Sequence, residues 1–134
     1  HDPCNLVRNG GLVNELRFTV KNCVNDFVEM TPHGVDNFCC GGGGGQLAMS
    51  EYNERRIAIG KIKAEQIKQT GAKVVVTPCH NCVDQLSQLN HIYKLNVKIK
   101  TIANCVKMTI FYIILKHYVY LIAISMRINI ILTQ

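Results

Sequence analysis

Residues 37–45 read NFCCGGGGG, two adjacent cysteines running straight into five glycines. Glycine loses more backbone freedom on folding than any other residue. A run of five beside two thiols therefore means that the backbone there must come close to something or adopt unusual φ/ψ values. Neighbouring side chains diverge, so Cys39 and Cys40 do not easily ligate one mononuclear ion. They can serve two different irons of one polynuclear cluster, whose sulfides favour nearby backbone N–H donors and tolerate a chain without Cβ atoms. The competing reading is a flexible glycine loop that happens to follow two cysteines.

The other cysteines decide between these readings. Seven are present, Cys4, Cys23, Cys39, Cys40, Cys79, Cys82 and Cys105. The odd number, the lack of a signal-peptide pattern and the βα character of the intervening segments do not suit a secreted disulfide framework. A reducing, cytoplasmic setting follows, and there clustered cysteines mean metal or redox chemistry. CHNC at 79–82 follows Val74-Val75-Val76 and is expected to open a helix, where free N–H groups and the helix dipole favour thiolate. Taken alone, this C-x-x-C fits a thioredoxin-type redox pair, half of a zinc site, or two inert cysteines.

Helical spacing of Leu12, Glu15, Leu16 and Val20 predicts a helix within 11–22, and FVEM at 27–30 is a short strand candidate. From about Ala48 to Thr70 the pattern predicts the clearest helix in the protein, with Ser50 as N-cap, Ile57, Ile59, Ile62 and Ile67 as its apolar side, and Gly71 as its stop. KVVVT at 73–77 reads as a buried parallel strand. A helix from the cysteine pair and a second strand in VKIKT complete a βαβ pattern. The fold class is α/β, a parallel sheet with flanking helices. HDPC stands at the start of the chain as a turn with no strand before it, so the first strand is expected to be missing.

One domain is expected over residues 1–105. It holds 12 Lys and Arg against 9 Asp and Glu, interleaved and without an aromatic and basic stripe, which argues against nucleic-acid binding. Residues 106–134 differ in kind. They are rich in Ile and Tyr, hold Lys107, Lys116 and Arg127, and lack Gly, Pro and acids. Three readings stand open: a membrane or interfacial segment, the last core elements, or a tail foreign to the domain. Lys116 and His117 interrupt the apolar run.

HDPCNLVRNGG, FVEM, CCGGGGG and TPCHNC together resemble the cysteine-rich CCG domain of heterodisulfide reductase-type proteins, over roughly residues 1–104. Within that group the wording is most similar to the K subunit of the membrane complex that accompanies dissimilatory sulfite reductase. The resemblance implies a noncubane 4Fe–4S cluster held by Cys4, Cys39, Cys40, Cys79 and Cys82, with Gly41 and Gly42 folding the backbone around it. It further implies an oxidoreductase of anaerobic sulfur metabolism that passes electrons to a disulfide or trisulfide. Its partners would be other iron–sulfur subunits of a membrane-associated complex, and a small sulfur-carrier protein or heterodisulfide. The site would lie in the cytoplasm or at the cytoplasmic face of that complex. The family's ferredoxin-like motifs and second cysteine-rich half do not occur in this sequence, so it reads as a C-terminal portion of a larger subunit, and its activity alone is in question.

Two rivals from other classes remain. A thioredoxin-like dithiol oxidoreductase through Cys79 and Cys82 makes Cys4, Cys39 and Cys40 dispensable, and a structural zinc module leaves one of the five cysteines idle. Cys23 and Cys105 fall outside the motif and read as small buried hydrophobes. His1, His33 and His80 flank expected ligands and read either as proton carriers or as ordinary loop histidines. Arg8 reads as an offset for cluster charge, a dock for an acidic substrate, or a solvated side chain.

Overall fold

The computed structural model describes the backbone of residues 1–132 and the side chains of residues 1–122. Two strands, β1 (Val74–Thr77) and β2 (Lys98–Thr101), pair in parallel, with Val74 opposite Lys98 and Thr77 opposite Thr101. Parallel neighbours need a crossover of a dozen or more residues. Here that crossover contains the helix of residues 80–92. Labelled in chain order, the helices are α1 (Asn14–Lys21), α2 (Asn53–Thr70), α3 (His80–Ile92) and α4 (Ile102–Leu132). The expected α/β class, a small parallel sheet flanked by helices, is what the chain adopts. FVEM joins no ladder among the described residues and takes no regular secondary structure, so the expected strand there does not form.

Residues 46–52 form two 3₁₀ turns, Gln46–Ala48 and Ser50–Tyr52, so α2 begins at Asn53 and Ser50 is not its N-cap. The chain leaves the glycine run with Gly45 at φ 77°, and successive tight turns follow from that geometry. Gly71 ends α2 in the left-handed region at φ 66°, as its position predicts. The buried face of α2 differs from its apolar pattern. Ile59 and Ile62 are more than two-fifths exposed, whereas Arg56, Gly60, Lys63, Ala64 and Ile67 form the buried stripe. That stripe meets the Cys40 loop and α3. A Cβ on Gly60 would stand 2.6 Å from Leu89 Cδ2 and 2.9 Å from the Cys40 carbonyl oxygen, so glycine sets how closely loop and helices pack.

The core joins Ile67, Val75, Leu86 and Leu89 to two thiols, Cys40 and Cys82. Sulfur is thus part of the packed interior, an ordinary place for cysteine. At the other end, Thr101 caps α4: its hydroxyl bonds Asn104 Oδ1 at 2.6 Å and accepts the Asn104 N–H at 3.1 Å. Near its start α4 touches the body, where the Thr109 hydroxyl donates to the Cys23 carbonyl at 3.4 Å. From Ile110 to Ile122 its large apolar side chains are exposed on every side. For that stretch the core-element reading is overturned. Residues 133–134 and the side chains from 123 onward lie outside the described residues.

Candidate metal centre

The turn that begins the chain is fixed by polar contacts. Arg17 forms a fork on Asp2 (3.1 and 2.8 Å) and reaches Glu29 at 2.6 Å. Asp2 also accepts the Gly34 N–H at 2.7 Å, and its carbonyl accepts Asn37 Nδ2 at 2.9 Å. Burial would raise the Asp2 carboxyl, but the Arg17 guanidinium and the Gly34 N–H outweigh it and hold the group below its ordinary range. Residues Asn5–Asn9 then form a π-helical turn with Cys4 at its head and Val7 buried beneath. Arg8 donates to the carbonyls of Val35 (2.8 Å) and Asn37. Its guanidinium therefore clamps the loop that leads into Cys39.

The loop is clamped from its other side by Gln85 on α3. The Gln85 side-chain N–H₂ donates to the Cys40 carbonyl at 2.9 Å and the Arg56 carbonyl at 3.2 Å, while its oxygen accepts from Arg56. Gly41, at φ 90°, and Gly42 pass so close that an added Cβ would stand 2.7 Å from the Arg56 carbonyl oxygen and from Gln85 Cβ respectively. Gly41 N–H also points at Cys39 Sγ, 3.3 Å away. Gly43, Gly44 and Gly45 would meet nothing within 4 Å.

Cys79 takes the N-cap position of α3 and Cys82 its first turn. Cys40 Sγ lies 3.6 Å from Cys82 Sγ. Cys4 and Cys39 act on each other electrostatically, as do Cys39 and Cys40, and Cys79 packs against the apolar core that contains Cys40 and Cys82. Of the five sequence-derived cysteines, Cys40 and Cys82 thus meet across the fold with Cys79 packed beside them, while Cys4 and Cys39 form a neighbouring pair. The Cys40 neighbour, together with burial, pushes the Cys39 thiol strongly upward. At Cys40, the Cys39 contact pulls the thiol down, but the Cys82 sulfur and burial prevail and push it up to about 11. Thiols so crowded hold their protons until a cation displaces them.

His1 adds a nitrogen donor. Both of its ring nitrogens are buried without a partner among the described residues, and one lies with Cys40 and Cys82 sulfur in a group whose members are all within 4.8 Å of one another. His1, Cys40 and Cys82 can thus hold a metal ion. A donor set rich in thiolate suits iron–sulfur clusters or zinc, so the residues present fit such a group. His33 and His80 stand apart: His33 is exposed, and His80 is on the surface 3.9 Å from Asp84. Cys23 and Cys105 lie elsewhere and share the Thr109 hydroxyl, which donates to both of their carbonyls.

Three supporting residues carry no motif. Gln85 and Asn37 are buried amides and Lys63 is a buried cation whose Nζ donates to Asn37 Oδ1 at 3.0 Å. Lys63 follows Arg56 by seven residues and precedes Ile67 by four, so helical spacing places all three on one face. Only the buried location of that face distinguishes them from surface polar residues.

Residues 1–87 match the family described as CCG, cysteine-rich domain. Among curated relatives, the Hdr-like menaquinol oxidoreductase iron–sulfur subunit 2 of Archaeoglobus fulgidus is 28% identical over 83% of this chain and 22% of its own length. The corresponding iron–sulfur subunit of Archaeoglobus profundus is 35% identical over 59% of this chain and 15% of its own. In the dihydromethanophenazine:CoB–CoM heterodisulfide reductase of Methanosarcina barkeri, one of the polypeptides is 29% identical over 79% of this chain and 26% of its own. The chain thus spans about a quarter or less of each of these relatives. No solved structure matches it.

Proposed function

The chain belongs to the cysteine-rich CCG domain family, and from that premise we propose that it is an iron–sulfur redox domain of a heterodisulfide reductase-type complex. The observation that supports this reading is the Cys40–Cys82 sulfur contact with Cys79 packed beside it, Cys39 next to Cys40 in sequence and Cys4 coupled to Cys39 electrostatically. Five thiols are more than a tetrahedral zinc site uses. They suit a noncubane 4Fe–4S cluster, ligated by all five. When bound, such a cluster supplies one-electron transfer and an iron site for sulfur, which reduction of a disulfide or trisulfide by single electrons requires.

The chain's own residues do the rest. Gln85, Arg8 and the Asp2–Arg17 pair hold the two cysteine-bearing loops in register, and Gly41 directs an N–H at sulfur. Names of relatives that include iron–sulfur subunits of Hdr-like menaquinol oxidoreductases support partners of the same kind. The segment Ile102–Ile122 is long and apolar enough to cross a membrane, which supports the membrane as the place of action.

A second reading, a zinc module, is favoured by one observation, the compact His1, Cys40 and Cys82 group. The thioredoxin-like reading is less well supported, because the Cys82 sulfur meets that of Cys40 across the fold. Iron and acid-labile sulfide analysis with a visible spectrum, on protein reconstituted without oxygen, separates them. About four of each per chain is expected. Colourless protein with about one zinc per chain selects the zinc module, and metal-free protein with a reducible Cys79–Cys82 disulfide selects the thioredoxin-like enzyme.

A further inference from the structure

Lys63 is 1% exposed, on the inward face of α2. Its Nζ donates to Asn37 Oδ1 at 3.0 Å and lies 3.9 Å from Met30 Sδ, and among the described residues no carboxylate forms an ion pair with it. Asp2, whose charge it feels, already serves Arg17 and Gly34. Asn37 stands two residues before Cys39, so the ammonium lies against the cysteine-bearing loop; Cys40, Cys39 and Cys4 act on it electrostatically, and the His1 terminal ammonium repels it. Asn37 is oriented by its second bond, from Nδ2 to the Asp2 carbonyl, so its oxygen is committed to the ammonium. Burying an ammonium without a counter-charge is costly, and burial accordingly pulls the Lys63 amine down to about 8. Such a cation is stabilised when neighbouring thiols become thiolates, which happens when metal is bound.

We propose that Lys63 is the built-in counter-cation of the metal centre, positioned by Asn37, which favours the reduced, more negative state without acting as a ligand. The inference rests on the iron–sulfur reading of the site. A fixed positive charge interacts more strongly with each added electron, so its removal shifts the couple toward oxidation. The cation also favours the thiolate-rich, loaded site over the empty one.

The test compares wild type, Lys63→Met and Lys63→Arg after anaerobic reconstitution, by iron content and by a redox titration followed by electron paramagnetic resonance. At a fixed potential near the midpoint, Lys63→Met is expected to shift the ratio of reduced to oxidised centre at least tenfold toward oxidised, a fall of about 59 mV for a one-electron couple. Lys63→Arg is expected to stay within threefold of wild type. If Lys63→Met loses its iron, circular dichroism of the metal-free protein and rescue by Lys63→Arg decide: an intact fold with iron restored by arginine supports the proposal. Loss of iron in both variants, or an iron-loaded Lys63→Met with an unshifted potential, overturns it and leaves the iron–sulfur reading in place. Wild-type protein that takes up no iron overturns both.

Discussion

Cys40 Sγ stands 3.6 Å from Cys82 Sγ, although the two are 42 positions apart in sequence and one is carried by the glycine loop, the other by the first turn of α3. The contact joins the two halves of the cysteine pattern. If it marks the metal centre, Cys40→Ala or Cys82→Ala should reduce iron bound after reconstitution to less than a tenth of wild type. Cys23→Ala and Cys105→Ala, whose thiols take no part in the Cys40–Cys82 contact, should retain full iron. Colorimetric iron analysis of the four variants checks this, and equal loss in all four would dissociate iron from the contact.

The five glycines are not equivalent. A Cβ at Gly41 or Gly42 meets the Arg56 carbonyl oxygen or Gln85 Cβ at 2.7 Å, and Gly41 also has φ 90°. Gly41→Val and Gly42→Val should therefore destabilise the metal-free fold itself by about 1–3 kcal/mol, as overpacking does. Gly43→Ala, with open space around it, should stay within about 0.5 kcal/mol. Urea unfolding of the metal-free proteins measures the difference. Glycine loops that merely wrapped a cluster would lower metal content in the variants and leave the metal-free stability unchanged.

This division explains how much the sequence discloses. The CCG and C-x-x-C motifs, the βαβ unit around KVVVT and the glycine stop at Gly71 rest on local chemistry, and local chemistry is written in the order of residues. The inward face of α2 is not. Isoleucines at 59 and 62 follow the apolar pattern yet face outward, because Gly60 brings the Cys40 loop onto the opposite face and α2 must there present Arg56 and Lys63 to amides and sulfur. The pairing of Cys40 with Cys82 likewise depends on how Gln85 bridges the loop to α2, a long-range bond with no signature in sequence spacing.

Lys63 also predicts a pH signature in the metal-free protein. Its amine titrates near 10.5 when unfolded and at about 8 when folded. Between those values the unfolded chain binds more protons, so this group's penalty is fully present below pH 8 and relieved as pH rises toward 10.5. Relative to Lys63→Met, wild type should gain stability over that window, by an amount on the order of 3 kcal/mol at most. The thiols of Cys4, Cys39, Cys40 and Cys105, raised by folding, act in the opposite direction in both proteins, so the difference between the two reports the lysine together with its coupling to the nearby thiols. Urea midpoints at about pH 7.5 and about pH 10 that move in parallel for both would show that Lys63 carries no such penalty.

The exposed stretch of α4 leads to the last prediction. Large apolar side chains from Ile110 to Ile122 are exposed around the whole circumference, and the segment Ile102–Ile122 has mean hydropathy 1.4 over its 21 residues. A protein partner covers one side of a helix, but lipid covers all sides. Phe111 and Ile113, two residues apart, point to nearly opposite sides of a helix and are 67% and 59% exposed. Lys116 interrupts the run, yet its long stem lets the ammonium reach toward the interface. If lipid surrounds α4, Phe111→Asp and Ile113→Asp should each weaken co-flotation of the full chain with phospholipid vesicles, and to a similar extent. A carboxylate near the middle of a span costs about 2.5–3.5 kcal/mol, or roughly a hundredfold in partitioning. A loss confined to one of the two substitutions would instead identify a one-sided interface, and full flotation of both would exclude insertion of this segment.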